Sequence, residues 1–583
     1  MYPSQTSFIP VTVAIASFIE KHGFGGLYPF WYLGSTPVKY LTGPVVPGLL
    51  LALHRFLDGF SLFDLSLGLV VVAFLFSALG WGILAWMLSG RRLYGYIVSL
   101  LALLAPWHWI SGFALSEVSA QVAQALTPWV LLAFAHSLTA WGPVSRFPPA
   151  SARLLDLSML LKWSIWRLRA VGSPSTLVTR GVHPESQSKD HVFDWRQAYA
   201  YPTLGFALLL LTNTVASIPA IIGLFILAIV NDKATKLEER LKRVGLVIFI
   251  GWFLTLWWYP PHYWWTLFIA PSIGGKSAVG AMISLVNLMR GFVPVILAIV
   301  VVAWGIRKKS LLDKFALSWF GVFGLLTLFR FFGDSKFWMD WTAWISEVEV
   351  GVVLLASMLI FRSVRHFKKR STEVSSDHIS HNSVSLKPSL AHNSDIKSYV
   401  KSSARFVMFL KWLPSLNFDR KFTIFYLLFT IYFVFGWFMA YQNRHFWLPR
   451  SNISQSVEFK IAKVLEQETR NWKLETGKSP IVFLSGSTAF WLNSFYDISQ
   501  VRGGVDQVSQ DPRWRQATLE IREGAIAQDT EKVLKALKIN YIVVHTGRSQ
   551  EYYHDFRYPE KFNRITSLRK IYEQEGDVIY KVK

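Results

Sequence analysis

The chain runs to 583 residues with a formal net charge of +23, yet only 17% of its residues are charged and 52% are hydrophobic. Mean hydropathy is +0.32, there are 26 Trp, and there is no cysteine. These values exclude an ordinary soluble enzyme, and they exclude disulfide, zinc–thiolate and cysteine-nucleophile chemistry.

In chain order, the first stretch with character is VTVAIASFIEKHGF, residues 11–24, an amphipathic-looking helix carrying Glu20, the single acid before Asp58. YPFWYLGSTPVKYLTGPVVPGLL follows, Tyr28 to Leu50, rich in aromatics, Gly and Pro. No basic n-region and apolar h-region precede Tyr28, so no cleavable signal peptide is expected. Residues 1–60 are read as a first extracytoplasmic loop with interfacial helices. Pro44, Pro47 and its short length keep 43–57 in the outer interface rather than across the bilayer. Met1 then falls inside an external loop, and a helix preceding residue 1 is expected.

From Ser66 to Leu88 the sequence SLGLVVVAFLFSALGWGILAWML carries no charge, long enough to span a bilayer core. Further crossings read at 92–110, 119–140, 245–265, 281–305, 312–331, 342–362 and 421–440. Lys and Arg concentrate between them, at Arg91–Arg92, Arg307–Lys309 and Arg362–Arg370. That distribution places those loops in the cytoplasm and makes anionic membrane lipid, not nucleic acid, the counterpart of the positive charge. Loop 141–200 is basic and cytoplasmic by the same rule. The apolar segment 202–230 is interrupted by TNTVASIP and is read as a re-entrant hairpin. The expected architecture is a polytopic α-helical membrane protein of about eight spans plus that hairpin. Residues 61–362 form the transmembrane core, 363–420 a partly disordered cytoplasmic linker, and 421–440 the last helix.

Beyond residue 440 the apolar runs shorten to strand length at 481–485, 541–545 and 578–582. Residues 441–583 are read as an extracytoplasmic α/β domain. Its Ser485, Ser487, Asp506 and His545 lack the GxSxG context of a hydrolase elbow. VRGGVDQ, residues 501–507, is read first as a tight turn. Arg502 beside its flexible amides is the substrate-binding alternative, for a phosphate or sugar acid.

The outward loops hold the remaining candidates: His108 and Trp109, then Glu117; WWYPPHYWW at 257–265; and FFGDSKFWMDWTAWISEVE at 331–349, with Asp334, Asp340, Glu347 and Glu349. Arg290 lies within the fifth span. Interfacial Trp explains most of the aromatics, but charge at membrane depth is expensive and is usually paired or functional. Aromatic faces suit sugars, Arg suits a phosphate, and a carboxylate suits a general base or a metal ligand.

An external first loop leading through G-x-P into a hydrophobic helix resembles membrane glycosyltransferases of the GT-C type. WYLGSTPVKYLTGPVVP, SGSTAFWLN, VRGGVDQVS and YIVVHT are similar, more closely, to prokaryotic membrane proteins whose family label invokes a 6-pyruvoyl-tetrahydropterin synthase-related domain. The resemblance implies a membrane core with a C-terminal external domain. It also implies transfer of a sugar from a polyprenyl-phosphate donor to an extracytoplasmic acceptor, with a divalent metal left open. GT-C enzymes carry an acid in the first external loop. This chain departs from that pattern: the acid is expected first in sequence preceding Met1, with Glu20 as its substitute or a non-catalytic protein as the alternatives, and Glu117 is the other catalytic candidate. The alternative is a non-catalytic envelope protein whose outer domain binds a glycan or protein partner. A transporter is disfavoured because one broken segment has no second copy. Sugar, acceptor and oligomeric state are not legible.

Overall fold

A computed structural model describes residues 1–34, 36–115, 117–139, 199–231, 236–269, 310–332, 344–362, 420–505, 508–511 and 513–583. The expected span 281–305 and almost all of loop 141–200 and linker 363–420 lie outside these residues.

Helix α1 (Ile9–His22) and α2 (Val45–Phe56) precede α3 (Leu62–Ser89), the longest apolar helix. Ser61 starts α3 with a capping box closed by Asp64, and Gly90 ends it in the left-handed conformation at φ 70°. α4 (Arg92–Leu103) and α5 (Pro106–Ala114) follow, then α6 (Val118–Thr139), α7 (Tyr201–Thr212) and α8 (Ile218–Val230). After α9 (Leu237–Leu254) and α10 (Pro261–Ile269) come α11 (Leu311–Phe332), α12 (Trp344–Arg362) and α13 (Arg420–Gln442). Among the described residues, α3, α6, α11 and α12 are long and apolar enough to cross a membrane; α4 and α5 together make a fifth such segment. The chain is a multi-pass membrane protein.

Proline and polar residues break three of the apolar runs. The expected single span 92–110 bends by 45° where Pro106 restarts the helix. The expected span 245–265 is not one helix either: α9 stops at Leu254, and Pro260-Pro261 forces a turn before α10. Between α7 and α8 the chain leaves helical geometry at Asn213, and both helices pack along α6.

The C-terminal region holds α14 (Val457–Thr476), α15 (Ser487–Phe495), α16 (Arg513–Glu523) and α17 (Ala527–Ala536) around a five-stranded sheet. Two short strands near the N-terminus are β1 (Leu27–Tyr28) and β2 (Thr36–Pro37); the sheet comprises β3 (Ile481–Phe483), β4 (Ser499–Gln500), β5 (Ile539–His545), β6 (Leu568–Gln574) and β7 (Asp577–Val582). Strand order is β4-β3-β5-β7-β6, with β3 parallel to β4 and β5, and β7 antiparallel to β5 and β6. The buried run of β5 (INYIVVH) fits a central strand covered on both faces.

The N-terminal segment is built into this region rather than lying loosely over a membrane surface. α1 is not amphipathic in its setting: Ile9–Ala16, Phe18 and Ile19 are all buried, against α15 on one side and α2 and α3 on the other. Tyr2 and Arg450 exchange both backbone hydrogen bonds, at 2.8 and 2.7 Å. Trp31, fully buried, donates its indole N–H to Asn493 Oδ1 at 2.8 Å, and the Gln500 amide donates to the Phe30 carbonyl at 2.9 Å. The two glycines of VRGG are what permit this seam. A Cβ on Gly503 would sit 2.3 Å from Trp31 Cγ, and one on Gly504 would sit 2.7 Å from Val11. Overpacking such a contact costs about 1–3 kcal/mol. Gly503→Val is therefore expected to lower the thermal unfolding midpoint of the detergent-solubilised chain. Gly25→Val, where nothing lies within 4 Å, is the control and should leave it unchanged.

Candidate functional site

The first polar cluster forms where α6 begins. Glu117 immediately precedes this helix, and Ser119 Oγ donates to its Oε2 at 3.1 Å. Asn213, at the break after α7, donates from Nδ2 to Ser119 Oγ at 3.2 Å and caps the Ala216 amide at 2.9 Å. Its neighbour Thr214 shares a 2.9 Å hydrogen bond with the Tyr263 hydroxyl of α10. Tyr263 stands edge-on to Tyr40 of the first loop, ring centroids 5.3 Å apart. Gly43 brings that loop down onto α7, since a Cβ there would lie 1.7 Å from the Leu211 carbonyl oxygen. Trp258 ties the same loop by donating to the Thr42 carbonyl at 3.1 Å. The Glu117 carboxyl is only partly exposed; desolvation raises it above the usual carboxylate range, against the opposing Ser119 bond. A carboxyl raised by burial beside hydroxyl and amide groups is placed to exchange a proton with a bound acceptor.

A second cluster is organised by Glu349 of α12. Its carboxylate accepts from the Trp107 and His108 amides at 3.0 and 2.9 Å, capping the N-terminus of α5. It also meets His108 Nδ1 at 2.5 Å and accepts from the Tyr432 hydroxyl of α13 at 2.6 Å. One nearly buried acid thereby clamps three helices. His108 is committed to that clamp, and Trp109 donates to the Leu103 carbonyl at 2.8 Å across the α4–α5 bend. Glu347, two residues earlier, is also buried; the carbonyl of its own peptide accepts from Trp319 of α11 at 2.8 Å.

In the C-terminal region the loop after β3 runs into the N-terminus of α15, a geometry that suits anions. Here the chain supplies the anions itself. Asp555 accepts from the Gly486 amide at 3.1 Å and from the Ser485 hydroxyl, while Glu551 accepts from the Ser487 amide at 2.9 Å. Arg502 pairs with Asp555 at 3.4 Å, Arg522 with the same carboxylate at 3.1 Å, and Arg502 lies over the Phe490 ring. Ser487 hydrogen-bonds Glu458 and Glu551 at 2.8 and 2.6 Å, and burial followed by the Glu551 charge raises the Glu458 carboxyl. His545 is paired with Asp577 at 2.7 Å, away from either serine hydroxyl. This is a packed ionic junction, and Arg502 is part of it.

Of the residues singled out from the sequence, Glu117 is joined to a polar cluster, and His108 and Glu349 are joined to each other. Glu20 is exposed at the end of α1, 3.9 Å from His54. Arg290, Asp334 and Asp340 lie outside the described residues. Ser119, Asn213, Thr214, Tyr263 and Tyr432 were not foreseen. The signal for Asn213 and Thr214 was present in the polar interruption of an apolar run, which sequence reasoning used only as a backbone break. Among the described residues no group of three His, Asp or Glu side chains converges to hold a metal ion.

No family model matches the chain, and no curated protein matches it. The likeness to proteins carrying a pterin-synthase-related label therefore has no support. Solved structures do match over the whole length. The oligosaccharyltransferase AglB from Archaeoglobus fulgidus, in complex with an inhibitory peptide and a dolichol-phosphate, aligns with TM-score 0.50 at 11% identity, covering 99% of this chain and 70% of AglB. The apo form of the Archaeoglobus fulgidus oligosaccharyltransferase aligns with TM-score 0.51 at 10% identity, covering 100% and 71%. ArnT from Cupriavidus metallidurans, bound to undecaprenyl phosphate, aligns with TM-score 0.44 at 12% identity, covering 99% and 94%. At these identities the likeness is one of fold: this chain is a multi-pass membrane protein that shares the fold of the archaeal oligosaccharyltransferase, with a helical core and a sheet-containing C-terminal region.

Proposed function

We propose that the chain is a membrane glycosyltransferase that moves a sugar from a polyprenyl-phosphate carrier to an acceptor outside the cytoplasm. The observation that carries this reading is the fold match to AglB across essentially the full chain. In the proposed reaction the acceptor's nucleophilic atom bonds to the sugar's anomeric carbon, the bond from that carbon to the phosphate oxygen breaks, and the polyprenyl phosphate leaves with the electron pair. Glu117 takes the proton that the acceptor loses. Ser119 donates to its carboxylate and Asn213 donates in turn to the Ser119 hydroxyl, while the buried Tyr263–Tyr40 pair packs the first loop against this cluster. Asp334 and Asp340, outside the described residues, remain candidate substrate-binding acids, and a divalent metal is left open. Arg290 remains the candidate cation for the donor phosphate. Glu20, exposed at the edge of the first loop, is the weaker catalytic candidate.

A second reading, a non-catalytic envelope protein that binds a glycan or a protein, has one observation in its favour: the first loop carries no acid from Lys21 to Leu57. Reconstituting the full chain in liposomes with a polyprenyl-phosphoryl sugar separates the two. Time-dependent release of the sugar to water or to an acceptor supports the transferase. Retention of a glycan without turnover supports the binding protein.

A further inference from the structure

The four long apolar helices meet around one chamber, and each contributes to its wall. Ser77 comes from α3, Gln124 and Thr127 from α6, Trp319 from α11 and Ser346 with Glu347 from α12, while His108 of α5 closes one side. Glu347 is 5% exposed, and its Oε2 has no hydrogen-bond partner among the described residues. Thr127 donates its hydroxyl hydrogen to the Ala123 carbonyl at 3.2 Å, which leaves its oxygen lone pairs available. A carboxylate left alone at this depth carries a large desolvation cost, and membrane proteins pair or neutralise such groups.

We propose that this chamber is a monovalent-cation site, occupied by a proton or by Na+, with Glu347 as the compensating acid. The donor set fixes the class. One carboxylate among neutral hydroxyl and amide oxygens balances a single positive charge, whereas Ca2+ or Mg2+ sites recruit more carboxylates or retained waters. The titratable group facing Glu347 from a neighbouring helix is His108, with Glu349 and Tyr432 behind it; α3, α6 and α11 present only neutral residues to the chamber. His108 binds Glu349 through Nδ1, so its Nε2 edge is the one not spent on the clamp. The site is independent of the proposed glycosyl transfer.

The test is labelling by dicyclohexylcarbodiimide, which partitions into bilayers and reacts with a protonated carboxyl. The acid O–H adds across a C=N bond, the proton passing to nitrogen, and the acyl group then shifts to nitrogen to give a stable N-acylurea. The full chain in lipid nanodiscs is treated in choline buffer and in Na+ buffer, and the peptide spanning α12 is read by mass. A Na+ site predicts label at Glu347 in choline that falls at least about tenfold in Na+ at the same pH. A proton site predicts label that ignores Na+ and declines as the buffer pH is raised from about 5 to about 9, the range over which buried carboxyls ionise. Absence of label at Glu347 in both buffers across that range, or label that responds to neither variable, overturns the proposal. The Glu347→Gln chain assigns the peptide signal. If that variant does not fold, fragmentation of the wild-type peptide makes the same assignment.

Discussion

Replacing Glu117 by Gln is expected to lower sugar transfer by about 10²–10⁴-fold, the contribution typical of a positioned general base. The substitution keeps the shape of the side chain and an oxygen that can accept the Ser119 hydroxyl, so the α6–α7 junction stays intact. What it removes is the group that takes the acceptor's proton. Thermal unfolding should therefore be unchanged while turnover is lost. The wild-type pH profile carries the same signature. Burial raises the Glu117 carboxyl, so its ionised form is present above the raised value. Transfer is then expected to fall as pH drops through that value, above the range of an ordinary glutamate. Unchanged transfer in Glu117→Gln, measured in the same liposomes, removes this residue from the reaction.

The largest stability effect is expected at Glu349. Glu349→Leu strands the Trp107 and His108 amides, the His108 ring and the Tyr432 hydroxyl at once. Breaking one partner out of a buried charged arrangement costs about 3–5 kcal/mol, and the lost clamp joins α5, α12 and α13. The detergent-solubilised variant should unfold at clearly lower temperature. Glu347→Gln, two residues away on the same helix, removes no side-chain hydrogen bond seen among the described residues and should shift the midpoint far less. Equal effects at the two positions would contradict the assignment of the clamp to Glu349.

Periodicity and composition carry some parts of this molecule to the reader and not others. The uncharged run from Ser66 to Leu88 announced a long apolar helix because length and apolarity alone decide that outcome. The strands of β3, β5 and β7 were visible as short apolar runs, since a strand buried on both faces must be apolar along its length. α1 was misjudged because Glu20, Lys21 and His22 suggested a polar face; they cluster at its C-terminal end, and the helix before them is buried all round. The bends at Pro106 and Pro260–Pro261 were present in the sequence, but hydropathy averaging smooths over a proline. Glu117 stood out as an acid at the edge of an apolar helix. Its partners did not, because Ser119, Asn213, Thr214 and Tyr263 come from three separated stretches that only the packing of α6, α7 and α10 brings together. VRGG illustrates the opposite case: its glycines are required by the bulk of Trp31 and Val11, hundreds of residues away.

The proposed transfer requires the first loop and the C-terminal region to stand together outside the cytoplasm, and the absence of cysteine makes this directly measurable. Single cysteines at Gly25, at exposed Leu474 of α14 and at Arg91 between α3 and α4 are exposed to a membrane-impermeant maleimide in intact cells. Labelling at 25 and 474 without permeabilisation, with 91 labelled only after it, is the predicted result. Protection of 474 in intact cells, or labelling of 91 from outside, would contradict it.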